Sequence, residues 1–156
     1  YTNQNYTFVN MQYKRKKGKM TIQSKKKEID GIKFDSTLES YMYTLLRDNN
    51  IENTYEGEKF TLIEGFKFDV SSFERTANKP MIDRGNNKIR AITYTPDFVS
   101  KDFIIEVKGR ANESFPMRWK LFKRWISINR PNTVLYKPQS QVDCRLVIED
   151  ILKRFY

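Results

Sequence analysis

Residues 103–108 read Phe-Ile-Ile-Glu-Val-Lys, and Gly109 ends the run. Branched and aromatic side chains in so short a stretch predict a β-strand. Neighbours on a strand point to opposite faces, so Phe103, Ile105 and Val107 share one side and Ile104, Glu106 and Lys108 the other. The first set asks for a helix-covered core. The second sets a carboxylate and an ammonium on the sheet, which costs desolvation. That cost is tolerable if the two charges meet each other, a metal ion, or water in a cleft. A chain holding this strand is therefore expected to build a sheet with helices packed on it.

The rest of the chain supplies those elements. Residues 35–50 predict a helix, with Leu38, Tyr41, Met42, Leu45 and Leu46 on one face, Asp35 or Ser36 as N-cap and Asn49-Asn50 as stop. Residues 59–75 predict strand or hairpin broken at Gly65, and residues 76–87, rich in Asn, Pro, Gly and Lys, predict a loop. Residues 89–99 predict a strand that pairs with 103–108 through the turn Ser100-Lys101-Asp102. Residues 114–129 predict a helix stopped by Pro131, residues 133–137 a short strand, and residues 142–155 a last amphipathic helix. Helix, several strands, helix, strand, helix is an α/β order with a mixed central sheet flanked by helices.

Composition narrows the chemistry. The 156 residues contain no histidine and one cysteine, Cys144. This excludes Ser-His-Asp and Cys-His hydrolysis, histidine-metal nucleases, zinc proteases and deaminases, intramolecular disulfides and cysteine-cluster zinc sites. Carboxylates, lysine, hydroxyls and a hard metal remain. No apolar run reaches the roughly 18 residues that span a membrane. A lone cysteine and a basic balance fit a reducing, cytoplasmic setting.

The net charge is +10, yet residues 1–13 carry none of it. Lys14, Arg15, Lys16, Lys17, Lys19, Lys25, Lys26 and Lys27 form a run of cations with no acid among them, and the rest of the chain sums to +2. Residues 1–28 are therefore read as a basic arm that contacts phosphates, and residues 29–156 as the folded domain. A solvated tail or a targeting signal would look the same. Arg118, Lys120, Lys123 and Arg124 add a basic helix face, either solvated or facing phosphate.

Asp97 follows Pro96 on the strand before the turn, and across a hairpin it can approach Glu106, depending on register. Two converging carboxylates repel unless a cation lies between them, and Mg²⁺ takes oxygen ligands while keeping several waters. Phe34-Asp35-Ser36-Thr37-Leu38-Glu39, Tyr94-Thr95-Pro96-Asp97-Phe98 and Glu106-Val107-Lys108-Gly109 together resemble the PD-(D/E)xK nuclease superfamily. Within it the pattern is similar to the phage endonuclease I family of Holliday-junction resolvases, over about residues 31–137. The stretch between Glu39 and Asp97 is longer here, with an extra hairpin or loop at 64–90.

The resemblance implies a restriction-endonuclease-like core and a Mg²⁺-dependent DNA endonuclease, with Mn²⁺ able to substitute and one or two ions per site. Asp97, Glu106 and the Val107 carbonyl would hold the metal. Lys108 would orient or deprotonate the attacking water, and Glu39 would support a second ion or its water. The implied products are a 5′-phosphate and a 3′-hydroxyl, and the implied substrate is branched or junction DNA. Paired cuts on a symmetric junction would call for a homodimer. Another nuclease of the superfamily acting on duplex DNA, or a non-catalytic nucleic-acid-binding or virion-associated protein of the same fold, stays open.

Each of these residues has a plainer explanation. Ser36-x-x-Glu39 is a capping box, with Glu39 reaching back to the cap. Pro96-Asp97 can mark a turn. Glu106 and Lys108 can be a surface ion pair of little energetic weight. Asp69, Glu74 and Asp83 are expected bystanders, Trp119 and Trp125 core or interface residues, and Cys144 a small core or surface residue.

Overall fold

The computed structural model describes residues 26–109 and 114–156. In chain order the elements are β1 (Lys27–Ile29), β2 (Ile32–Phe34), α1 (Thr37–Asp48), β3 (Thr54–Tyr55), β4 (Phe60–Ile63), β5 (Phe66–Phe68), β6 (Phe73–Glu74), β7 (Ile82–Asp83), β8 (Asn87–Ile89), β9 (Ile92–Tyr94), β10 (Phe98–Val99), β11 (Phe103–Ile105), α2 (Phe115–Asn129), β12 (Val134–Tyr136) and α3 (Gln141–Phe155). The order is α/β with a mixed central sheet, as the sequence predicts.

The central sheet has the strand order β12-β11-β10-β3. The hairpin β10–β11 is antiparallel, with Phe98 opposite Ile105 and Val99 opposite Ile104, and Ser100 N–H closes its turn on the Phe103 carbonyl at 2.9 Å. β12 joins β11 in parallel, so α2 serves as the crossover between them. The predicted strand 103–108 ends at Ile105 as regular ladder. Its extension still runs beside β12, with Glu106 N–H on the Tyr136 carbonyl and Lys108 N–H on the Pro138 carbonyl, both at 3.0 Å.

Both sheet faces are covered, not one. Phe103, Ile105 and Val107 pack with Met42 and Leu46 of α1 and Cys144, Ile148 and Ile151 of α3. Ile104 lies on the other face with Trp119, Phe122 and Ile126 of α2 and with Phe60 and Tyr94. The face that carries Glu106 is thus closed by α2, so the carboxylate sits in an interior rather than on an open sheet. Trp119 is buried, and Trp125 packs edge-on against Phe60, in line with their expected core role. Cys144 is fully buried.

The helices form where spacing and caps agree. Ser36 caps α1 by accepting Glu39 N–H at 3.1 Å, and Ser140 caps α3 by accepting Asp143 N–H at 3.1 Å. Asn49 closes α1, and Asn50 takes a left-handed φ of 53°. α2 ends at Asn129 ahead of Pro131.

Two predictions are corrected in the middle of the chain. Residues 59–75 hold strands broken at Gly65, as the strand reading has it, but they do not fold back on themselves there as a hairpin, and residues 76–87 are not all loop. Instead β4 pairs β9, β5 pairs β8 and β6 pairs β7, all antiparallel. The result is one long two-stranded ribbon joining residues 60–74 to residues 82–94. The predicted strand 89–99 is also two strands in different sheets. Pro96, fully buried and without an N–H, cannot continue the ladder with β4, so the chain passes from the ribbon to the central sheet at that point. Along the ribbon Ile63, Phe66, Val70, Phe73, Met81, Ile82, Ile89 and Ile92 are exposed.

The expected boundary after residue 28 falls inside a hairpin. Among the described residues the first element is β1, which pairs with β2 through the register Lys27–Phe34. Lys27 and Glu28 are therefore hairpin, not arm. The arm cations Lys14, Arg15, Lys16, Lys17, Lys19 and Lys25 lie outside the described residues. Among the described residues no helix is long and apolar enough to cross a membrane.

Candidate functional site

The hairpin register decides whether the two carboxylates meet. Phe98 faces Ile105, so the next rung places Asp97 across from Glu106. Asp97 confirms the rung chemically, because its Oδ2 accepts the Val107 N–H at 2.6 Å. A charge-assisted bond of that length pins the carboxylate over the strand end. The Asp97 carbonyl accepts Glu56 N–H at 2.8 Å, which fixes the backbone as well.

Glu106 is 5% exposed. Its Oε1 lies 3.5 Å from Lys108 Nζ, and its Oε2 is buried with no hydrogen-bond partner. The Tyr94 hydroxyl faces this carboxylate, yet it too is buried without a hydrogen bond of ordinary geometry. Leaving such a group unpaired costs about 1–3 kcal/mol, and more when it is charged. The Lys108 ammonium also lies 4.8 Å from the centre of the Phe115 ring, at the start of α2.

Burial drives the electrostatics. The Asp97 carboxyl is pushed up to about 8, first by desolvation, then by the charges of Glu106 and Glu39; the Val107 N–H and Lys108 oppose this. Glu106 is also raised, mainly by desolvation, with Tyr94 and Lys108 pulling the other way. The Tyr94 phenol is raised by burial and then by Glu106. This is a pocket with more negative charge than its own lysine neutralises.

Glu39 forms the capping box. It accepts from Ser36 Oγ at 2.7 Å, from Asp35 N–H at 3.1 Å and from Tyr55 Oη at 2.8 Å. Its charge reaches Asp97 and Glu106, but its oxygens are occupied by these donors. Among the described residues no group of three or more Cys, Asp and Glu side chains is placed to hold a metal ion. The acidic centre is therefore the pair Asp97 and Glu106, with Glu39 acting on it through its field.

The pair itself suits a hard divalent ion. An orphaned carboxylate oxygen and two mutually repelling acids are relieved by a cation, and oxygen donors with water as the remaining ligands match Mg²⁺.

The basic residues divide. Lys26 makes an exposed pair with Asp35 at 3.2 Å. Arg118 is exposed, donates to the Thr93 carbonyl at 2.7 Å and lies 5.8 Å from the Tyr94 ring centre, so it ties α2 to the ribbon. Lys120 is exposed on α2. Asp69 pairs with Lys67, Glu74 accepts the Ser72 hydroxyl, and Asp83 accepts N–H groups of Ser72 and Gly85, which are local turn and ribbon roles.

Tyr55 and Tyr94 are additions to the predicted set. Tyr94 had a signal, since it stands on the strand leading to Asp97. Tyr55 had none, because a two-residue strand leaves no pattern to read.

The family comparison covers the same residues. Residues 15–134 match the family model described as "Protein of unknown function (DUF1064)". No curated protein and no solved structure matches the chain. The matched span takes in Glu39, Asp97, Glu106 and Lys108 as well as the strands that set them in register, and on that span the chain belongs to the DUF1064 family.

Proposed function

We propose that this protein is a metal-dependent DNA endonuclease that hydrolyses phosphodiester bonds and prefers branched DNA. The observation that carries the reading is Glu106: a buried carboxylate with one unpaired oxygen, across the hairpin from Asp97 and beside Lys108. Asp97 and Glu106 would hold Mg²⁺ together with the Val107 carbonyl, and the ion would supply charge to the scissile phosphate and acidify a water. Asp97 is held in place by the Val107 N–H. Lys108 orients the attacking water and offsets charge that builds on the phosphate. Glu39 supports the field of the pair from the N-terminus of α1. No base-reading element is identified, which favours substrate choice by shape over choice by sequence.

The test is Mg²⁺-dependent nicking of supercoiled plasmid, followed by a four-way junction set beside a linear duplex of the same sequence. The reading expects cleavage that Glu106→Gln abolishes, and faster cutting of the junction. Equal cutting of both substrates would remove the preference for branches.

A second reading draws on the absence, among the described residues, of a three-ligand acidic cluster. It makes the protein a non-catalytic nucleic-acid binder. Clean protein that binds DNA, never nicks it, and binds equally well as Glu106→Ala would establish that reading instead.

A further inference from the structure

Lys137 directly follows β12 and takes no part in the motif that marks the carboxylates. The parallel register sets Ile105 beside Tyr136, so the next rung sets Glu106 beside Lys137 on the same sheet face. That face is the one α2 covers, since Leu135 packs there with Ile104. Asp97, Glu106 and Lys137 thus form one row, Asp97 one residue before β10 and the other two one residue after β11 and β12.

The Lys137 side chain does not pair with the acids in that row. Among the described residues no carboxylate lies within 4.0 Å of its ammonium. Its Nζ lies 5.9 Å from the centre of the Phe115 ring, the same ring that Lys108 approaches at 4.8 Å. Contact with an aromatic ring holds an ammonium without neutralising it. Two ammoniums held at one ring repel, and among the described residues only Lys108 has an acid to offset this. Lys137 is exposed, so an outside anion can reach it.

We propose that Lys137, steadied on Phe115, is a seat for a nucleic-acid backbone phosphate neighbouring the one that meets Asp97 and Glu106. The inference rests on the nucleic-acid reading above, but it concerns grip and not cleavage. Lys137 is a positioning residue: it would set which phosphate lies over the carboxylates.

The test is binding of a fluorescein-labelled DNA duplex across a salt series, with Ca²⁺ replacing Mg²⁺. Neutralising one phosphate contact lowers the slope of log affinity against log salt by about 0.9, so Lys137→Met should lose that much and Lys137→Arg should keep the wild-type slope. A single neutral methylphosphonate moved along the strand should weaken wild-type binding at one position where Lys137→Met is already indifferent. An unchanged slope in Lys137→Met, an equal loss in Lys137→Arg, or no measurable binding overturns the proposal. If the slope falls as expected but plasmid is never nicked, the cleavage reading fails and this seat stands. If plasmid is nicked and the slope is unchanged, the reverse holds.

Discussion

The N-terminus of α1 and the end of β11 each bury a glutamate to a similar degree, 8% exposed for Glu39 and 5% for Glu106. Their surroundings differ. Glu39 accepts from a serine hydroxyl, a backbone N–H and a tyrosine hydroxyl. Glu106 has a lysine at 3.5 Å on one oxygen and no well-formed hydrogen bond on the other. Folding alone explains the first, since a capping box satisfies helix donors and the acid together. Folding does not explain the second. A buried, half-satisfied acid lowers stability, and this one stands beside another acid, an arrangement that a bound cation would stabilise.

The largest expected effect breaks the contrast at its unsatisfied end. Glu106→Gln should reduce Mg²⁺-dependent cleavage by on the order of 10³-fold, measured as single-turnover nicking. The same variant should melt no lower than wild type in EDTA, because it removes a buried charge. A large fall in melting temperature would show Glu106 to be structural.

Next comes pH. A raised Asp97 carboxyl keeps its proton in the fold after the unfolded chain has released it near 3.8. The stability this provides is complete below that value and is lost as pH climbs toward about 8. Metal-free protein should therefore lose stability steadily as pH rises across that window. Asp97→Asn should flatten the curve, and saturating Mg²⁺ should restore melting temperature at the alkaline end. Thermal melts in EDTA across pH read all three, and a wild-type curve already flat would refute the assignment.

The satisfied end should respond through stability. Ser36→Ala removes the cap and the Glu39 partner and should cost about 1 kcal/mol by urea unfolding, with little change in the chemical step. Smallest is the tyrosine pair. Tyr55→Phe deletes a bond to Glu39 and should cost about 0.5–1.5 kcal/mol, whereas Tyr94→Phe deletes a hydroxyl that faces Glu106 without a well-formed hydrogen bond and should cost less. Equal costs would mean that the two glutamates are held alike.

The parts legible from sequence are those set by near neighbours. The faces of α1, α2 and α3, the Ser36 cap and the turn after Val99 all follow from residues a few positions apart. The hairpin that carries Asp97 and Glu106 follows from its short turn as well, but the rung that sets them opposite each other depends on a register that only the structure gives. The ribbon is different. Its strands pair across 8 to 34 residues, as Glu74 with Ile82 and Phe60 with Tyr94. Local composition around Asn78 and Pro80 signals a loop, and nothing local says that its flanks rejoin. The split of residues 89–99 hinges on Pro96, which as easily signals a turn as a change of sheet. Tyr55 reaches Glu39 only through tertiary packing, and Lys137 reaches the site only through a parallel crossover.

The ribbon joins the body of the protein at its base, where Phe60 and Tyr94 pack with Ile104, Trp119 and Phe122. Phe60 opposite Tyr94 and Thr61 opposite Thr93 form its last rungs. Residues added or removed in matched pairs beyond those rungs change the ribbon's length while leaving the path through Pro96 to Asp97 where it is. Relatives should therefore differ most in how far this appendage extends, and a designer could trim it or exchange its tip as a cassette without resetting the carboxylates.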